Sequence, residues 1–496
     1  MIEKLLVANR GEIACRVFRA ARGLGIATVA VYSDADADAM HTKLADEAVR
    51  IGPPEPSASY LKVETVLDAA RATGADAVHP GYGFLSESAA FAEACEGAGL
   101  VFVGPSASAM RGLGAKIDAK RLAVGCGVPI APGFFESGAS VGDLKKAAKK
   151  IGYPVMLKAS AGGGGRGMRV VRDEAEFERE CAMASDEALK AFGDGAMMVE
   201  KLIERPRHIE VQVLADGFGN VACIFERECS LQRRYQKVIE ESPSPMMTEG
   251  LWSKMREAAT KLVKAAGYTN AGTVEFMVDP SSGEFYFLEV NARLQVEHPV
   301  TEAVTGVDLV QWQLRIAGGE QLTLSEGLMK GDRAAMNGCA IEARVISEDP
   351  ARGFLPSVGQ IVGWAAPLDP TVRVDTGYGP GAEVTQYYDS LLAKVVVSGE
   401  DRGAAVSRLR GALMDFHVLG VTTNVPYLLD VLAHPSFASG DVDTGFLGRE
   451  FGEWSPSGGV PEELGAILAM ANGEDRTRSL VELSPAWARS DGFRVT

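Results

Sequence analysis

Several things are scarce in this chain of 496 residues. Cysteine occurs seven times, at Cys15, Cys95, Cys126, Cys181, Cys223, Cys229 and Cys339. The number is odd and the spacing never Cys-x-x-Cys, which argues against a disulfide framework and a structural zinc site and for a reducing compartment. No apolar run approaches the roughly 18 residues that a bilayer span needs. The first strand-like segment already begins at Lys4, leaving no room for a signal peptide, so no membrane partner and a cytoplasmic location are expected. Positive charge is also in deficit: 50 Lys+Arg stand against 66 Asp+Glu, a net charge of −16 spread over the chain. That balance disfavours a nucleic-acid surface while leaving room for a local basic pocket. Apolar residues, by contrast, make up 46% of the sequence, enough for two or three domains of roughly 150 residues each.

Short apolar runs alternate with helical patterns from the N-terminus: Leu5–Val7, Ile13–Leu24, Thr28–Tyr32, Ala75–His79 and Leu100–Val103. Such alternation predicts a parallel sheet covered by helices, a Rossmann-like layout over 1–115. The turn Asn9-Arg10-Gly11-Glu12 has one glycine where a dinucleotide fingerprint has three, so the shape is not matched by dinucleotide chemistry. After a linker at 116–131, residues 132–203 read as a small lid. It has a helix at Val141–Ile151, strands at Pro154–Lys158, Met168–Val171 and Met197–Glu200, and a second helix at Asp173–Phe192. Residues 204–447 form the largest, β-rich domain. The remainder, 448–496, reads as an extension or linker with one helix-like piece at Pro461–Ala471. The fold class expected is mixed α/β and α+β.

Between two lid strands lies Lys158-Ala159-Ser160-Ala161-Gly162-Gly163-Gly164-Gly165-Arg166-Gly167. Consecutive glycines let backbone amides approach an anion without interference from Cβ atoms, and Lys158 and Arg166 flank them, so the segment reads as a phosphate cradle. It lacks Gly-Lys-Ser/Thr and runs into a strand, which excludes a Walker loop. A plain hairpin turn is the alternative, but a turn needs only one or two glycines.

The sharpest signal is a hairpin, Thr273–Val278 and Phe285–Val290 joined through Pro280-Ser281-Ser282-Gly283. Folding it about Ser282 sets Glu275 opposite Glu289, although a one-residue slip would separate them. Opposed carboxylates on a face shared with Met277, Phe285 and Phe287 are costly unless a cation lies between them. A hard divalent ion, Mg²⁺ or Mn²⁺, meets that need, and Asn291 adds an oxygen on the same side. Strand alternation then continues through Glu289, Asn291, Arg293, Gln295 and Glu297, converging polar groups on one site. An ordinary half-exposed strand would also alternate. Here the order is acid, amide, guanidinium, amide, acid: Arg293 offers a fork for a carboxylate or bicarbonate, and Glu297 could act as a base if burial raises its pKa. Lys116, Lys237 and Arg344 are further cations, and His208 and His298 further polar groups, each of which would singly be taken as structural.

These residues together resemble a biotin carboxylase of the ATP-grasp class over about 1–447. The motifs are Ala8-Asn9-Arg10-Gly11-Glu12-Ile13-Ala14, His79-Pro80-Gly81-Tyr82-Gly83-Phe84-Leu85-Ser86-Glu87, the Gly162 loop, and Glu289 through Pro299. The resemblance implies nucleotide contacts from Lys116, Lys158, Gly162, Gly163, Gly164, Gly165, Gly167, the segment Glu200-Lys201-Leu202-Ile203, His208, Gln232 and Tyr235. It implies a metal held by Glu275, Glu289 and Asn291, and bicarbonate surrounded by Lys237, Arg293, Gln295, Val296 and Glu297. Glu297 would deprotonate bicarbonate and Arg344 would stabilise the biotin anion. ATP, Mg²⁺ or Mn²⁺ and carrier-bound biotin are thus expected, with a biotin carrier domain or protein, a carboxyltransferase subunit and a homodimer. Two departures bear on nucleotide affinity: Tyr235 stands where the family usually has histidine, and Ala115 where it has aspartate. The tail from Trp487 to Thr496 resembles the segment after the carboxylase in α subunits of acyl-CoA carboxylases, especially the methylcrotonyl type, without an Ala-Met-Lys-Met attachment site. Another ATP-grasp carboxylate–amine ligase and a non-catalytic nucleotide-binding subunit remain as competing readings.

Overall fold

Apolar residues at Leu5, Leu6 and Val7 are wholly buried and form the middle of a five-stranded sheet. These features come from a computed structural model that describes residues 2–136, 138–160 and 167–456. In spatial order the strands are Glu47–Gly52, Ala27–Ser33, Lys4–Val7, Ala77–His79 and Val101–Phe102, every pair parallel. The alternation of short apolar runs and helices predicted this arrangement. Gly11, at φ +66°, turns the first strand into the helix Gly11–Gly23, which buries Ile13, Val17 and Phe18. A residue with a Cβ is disfavoured in that left-handed conformation.

The lid has a core of its own, in which Leu144 and Ala148 meet Val155, Leu157, Phe177 and Val199. Its helix Val141–Ile151 starts at a reciprocal capping box between Ser140 and Asp143. Four antiparallel strands lie in the order Gly133–Phe134, Met197–Lys201, Val155–Ala159 and Arg169–Val171. The positions Gly162, Gly163, Gly164 and Gly165 lie outside the described residues. Gly167 is described, with φ +70° and space so tight that a Cβ would come within 3.0 Å of the Ala159 methyl.

The large sheet is antiparallel throughout. Its order is Phe285–Asn291, Asn270–Val278, Arg207–Ala215, Val221–Arg233, Gln236–Ser242, Cys339–Ile346, Leu391–Gly399 and Arg373–Thr376. Side chains alternate across a strand, so Ile209, Val211 and Val213 enter the apolar core with Trp252, Met255 and Leu262 of the helix Glu249–Ala265. The intervening His208, Glu210 and Gln212 are buried too, on the opposite face. That face carries the charges described below.

Two details of the hairpin differ from expectation. The register does pair Glu275 with Glu289, but a bulge follows, so Phe276 pairs with Phe287 and Met277 with Tyr286. The extra residue turns Phe285 and Phe287 to the core, where both rings pack on Phe276 at 5.4 and 6.4 Å, so neither shares the carboxylate face. Nor does strand alternation run on to Glu297: the strand ends at Asn291. Arg293, Gln295 and Glu297 lie on an irregular stretch leading into the helix His298–Thr305. Downstream, Phe446–Glu450 is helical, and the helix expected at Pro461–Ala471 lies outside the described residues. Among the described residues, no helix is long and apolar enough to cross a membrane.

Candidate active site

A cleft of about 1090 Å³ runs between the N-terminal sheet, the lid and the charged face of the large sheet. Lys116, Lys158, Glu200, Lys201, Leu202, Ile203, His208, Gln232, Tyr235, Lys237, Glu275, Glu289, Asn291, Arg293, Gln295, Val296 and Arg344 all line it. Positions scattered over more than 200 residues of sequence are thereby brought to one wall-to-wall cavity. Glu297 does not line the cleft; it lies behind it, fully buried and bonded to two of the lining cations.

The centre of the site is Lys237. Its ammonium donates to Glu210 at 2.5 Å, Glu275 at 2.9 Å and Glu297 at 2.5 Å. Burial opposes the lysine's charge, but these three carboxylates outweigh burial and hold it well above its ordinary pKa. Each carboxylate has a second basic partner. Arg227 donates to Glu210 at 2.5 Å, His208 Nε2 lies 3.0 Å from Glu275, and Arg344 donates to Glu297 at 2.9 Å. Arg344 also donates to Glu240 at 2.6 Å. Burial lifts Glu240 to about 7 in spite of Arg344.

The electrostatics correct one expectation. Burial by itself would raise Glu297, as anticipated for a base, but Lys237, Arg344 and Arg227 reverse that effect and hold it well below the usual carboxylate range. Glu297 is ionised in this arrangement, and a weak proton acceptor while both cations stay on it.

Glu275 and Glu289 differ in a way the hairpin alone did not foretell. Burial would raise Glu275, yet Lys237 and His208 bring it well below its ordinary value. Glu289 stays raised, first by burial and then by the Glu275 charge, with Lys116 only partly offsetting them. Among the described residues Glu289 has no hydrogen-bond or ion-pair partner, while the Asn291 side-chain oxygen accepts from Arg293 at 3.0 Å. Two carboxylates and an amide oxygen form a hard donor set, and the unpartnered Glu289 supplies the unmet charge, so these residues fit a Mg²⁺ or Mn²⁺ ion.

Arg293 is held as a fork, donating to Asn291 and to Gln295 at 2.9 Å, with Glu87 3.2 Å from its Nε. Nearer the lid, Glu200 is shared by Lys158, at 2.7 Å, and Lys120. Burial opposes ionisation of Glu200, but the two lysines bring it down to about 2. Burial in turn lowers Lys116 and Lys120. Tyr235 sits at a tight turn with φ +66°, half exposed at the cleft edge.

Sequence reasoning missed Lys120, Glu210, Arg227 and Glu240. Lys120 follows Lys116 by one helical turn, a spacing that puts both on one face. Glu210 lies two residues from His208 on one strand and directly opposite Glu275, so the alternation His208, Glu210, Gln212 was its signal.

Comparison with known proteins agrees with this geometry. Residues 1–110 match the model for the biotin carboxylase N-terminal domain, 115–325 the carbamoyl-phosphate synthase L chain ATP-binding domain, and 342–449 the biotin carboxylase C-terminal domain. Biotin carboxylase 1 of Bacillus subtilis is 48% identical over 447 residues, 90% of this chain and 98% of that protein. The mitochondrial methylcrotonoyl-CoA carboxylase subunit alpha of Oryza sativa is 51% identical over 478 residues, 95% of this chain and 64% of that subunit. The chain thus spans less than two thirds of that relative. Among solved structures, the biotin carboxylase domain dimer of Hydrogenobacter thermophilus 2-oxoglutarate carboxylase, in complex with MgADP, ADP and bicarbonate, superposes with a TM-score of 0.88. It is 45% identical, covering 92% of this chain and all of that one. With its three-part match, the shared fold and near-complete coverage of the Bacillus subtilis relative, the chain belongs to the biotin carboxylase family.

Proposed function

We propose that this chain uses the γ-phosphate of ATP to activate bicarbonate and hands the carboxyl group to biotin on a carrier domain or protein. The observation that carries the reading is Lys237, one ammonium shared by three buried carboxylates beside the Arg293 fork and Arg344. A site so arranged accepts a small anion and can redistribute charge when it arrives.

In this reading Lys116, Lys158 and the glycine loop hold the phosphates, and Glu200 to Ile203, His208, Gln232 and Tyr235 hold the rest of the nucleotide. A divalent ion held by Glu275, Glu289 and Asn291 supplies neutralising charge for the phosphates when bound. Arg293, Gln295, Val296 and Lys237 orient bicarbonate. As the bicarbonate anion takes a share of Lys237, Glu297 loses part of the positive charge that suppresses its basicity, and its proton affinity rises. It then accepts the bicarbonate proton as a bicarbonate oxygen attacks the γ-phosphorus and ADP leaves. Carboxyphosphate, or the CO₂ it releases with phosphate, meets the enolate-like biotin anion beside Arg344, the departing phosphate taking the biotin N–H proton; the second partner of Arg344 is Glu297. The lid limits hydrolysis of the intermediate by excluding water.

A homodimer and a carboxyltransferase partner belong to the same proposal, supported by the dimeric neighbour and the carboxylase relatives. The methylcrotonyl type of acyl-CoA substrate is supported by the rice relative, and seven free cysteines fit the reducing, cytoplasmic setting. Phosphate release with ATP, Mg²⁺ and bicarbonate, with and without free biotin, tests the reading. Stimulation by biotin is expected; bicarbonate-dependent hydrolysis indifferent to biotin points to another ATP-grasp ligase, and no bicarbonate-dependent release to a non-catalytic subunit.

A further inference from the structure

Lys394 is a charged residue with no exposure at all, outside the set of groups assigned to the chemistry. It lies on the strand Leu391–Gly399 directly opposite Arg344. Directly paired residues of neighbouring strands present their side chains to the same face. Burial works against its charge, and Glu12, Glu342 and Asp375 together keep it protonated.

Its partners come from three separate parts of the chain. The ammonium donates at 2.9 Å to the carbonyl oxygen of Val296, the residue immediately before Glu297. It lies 3.2 Å from Glu12, in the first turn of the helix Gly11–Gly23 of the N-terminal sheet, and 3.8 Å from Asp375 on the neighbouring strand. Glu12 also accepts a hydrogen bond from the Tyr82 hydroxyl, and Tyr82 lines the cleft. The stretch Ala292–Glu297 belongs to no helix or strand, so little regular backbone bonding holds it. A buried cation that anchors its carbonyl supplies what the ladder does not. The Val296 carbonyl belongs to the peptide plane shared with Glu297, so its direction fixes where the Glu297 side chain starts.

We infer that Lys394 is a positioning residue for the bicarbonate site: it pins the Val296–Glu297 peptide to Glu12 and Asp375, and so holds Glu297 and Gln295 in register with Lys237 and Arg293. The inference rests on the bicarbonate reading above. Lys394 touches no reacting atom; it acts through the segment it anchors. Small misplacement of reacting groups by a remote change can cost about a hundredfold in rate.

The test uses the full chain, with Lys394→Met, which keeps most of the length of the side chain and loses its charge and donor, and Lys394→Arg, which keeps the charge. Steady-state phosphate release is measured with ATP and bicarbonate varied separately, and thermal unfolding is followed in parallel. Lys394→Met is expected to lower kcat about a hundredfold and to raise KM for bicarbonate at least about fivefold, with KM for ATP within about threefold of the parent. Lys394→Arg should recover part of kcat, because a cation again faces the carbonyl. A loss confined to general destabilisation would lower the active fraction without separating the two KM values. A folded Lys394→Met variant with parental kcat and KM for bicarbonate overturns the inference. If the methionine variant does not fold, Lys394→Arg decides: its larger planar head can still donate to the Val296 carbonyl but must shift the peptide to make room, so a parental KM for bicarbonate overturns the inference and a raised one supports it. A parent without bicarbonate-dependent release refutes the functional reading instead, so the two failures are distinguishable.

Discussion

Replacing Lys237 with methionine removes the cation on which Glu210, Glu275 and Glu297 converge. Its side chain is only 11% exposed, so water cannot substitute for the lost charge. Removing one partner of a buried ion cluster costs roughly 3–5 kcal/mol. Each carboxylate here keeps another basic partner, Arg227, His208 or Arg344, which puts the loss toward the lower end, about 3 kcal/mol. The pH dependence follows from the shifts. In the parent, Glu275 and Glu297 are held below their ordinary values, so their stabilisation is present above the unfolded carboxylate pKa and is lost as pH falls through the folded one. Without Lys237 those folded values rise, the folded state takes up a proton more readily, and the deficit against the parent narrows on acidification. Urea unfolding at pH 8 and pH 5.5 measures it. Bicarbonate-dependent phosphate release should fall at least about a hundredfold in the same variant. A loss below about 1 kcal/mol at both pH values, or a deficit that widens toward acid, would refute the argument that Lys237 is the shared counter-charge.

Three further perturbations probe neighbouring parts of the cleft. Glu297→Gln should lower bicarbonate-dependent phosphate release by about 10²–10⁴-fold while ATP affinity, read by calorimetry, stays within about threefold, since Lys237 and Arg344 retain a side-chain acceptor. Glu200→Gln leaves Lys120 and Lys158 without their shared anion, so the ligand-free protein should lose about 3 kcal/mol. MgATP should then raise its Tm by more than it raises the parent's, because the phosphates supply the missing charge; an unchanged shift would count against phosphate binding at Lys158. Glu240, at about 7, has a folded value above its unfolded one. Its contribution is therefore full below the unfolded carboxylate pKa and fades as pH rises through 7. The stability of Glu240→Gln relative to the parent should climb over that interval in denaturant titrations, and a flat difference would show that Glu240 does not titrate there.

The legible parts of the molecule are those set by local rules. Alternation of apolar runs and helices located the parallel sheet, and the turn residues Pro280 to Gly283 located the hairpin that carries Glu275 and Glu289. What could not be read is what several strands decide jointly. The bulge after Glu275 is a one-residue event that turns Phe285 and Phe287 to the core, and no turn residue marks it. The stretch from Arg293 to Glu297 alternates like a strand, but the strand ends at Asn291 and a helix begins at His298. Glu210 and Arg227 belong to strands whose face became known only when they paired with the hairpin.

The same limit applies to Glu297, whose proton affinity depends on neighbours from other strands. Burial is a property of one residue, and a buried glutamate between apolar neighbours should be a strong base. Three cations, Lys237, Arg344 and Arg227, come from three strands of the large sheet and reverse that effect. A carboxylate so heavily compensated is of little use as a base until something competes for its cations, and an arriving bicarbonate anion is such a competitor. In the proposed reaction the arrangement therefore ties the basicity of Glu297 to occupancy of the site: with the site empty Glu297 is quiet, and bicarbonate on Lys237 and Arg293 would make it able to take a proton. Chloride or nitrate on the same cations would relieve Glu297 without offering it a proton, so such anions should inhibit competitively against bicarbonate. Inhibition competitive with ATP alone would place them on the phosphate-binding lysines and remove this coupling from the account.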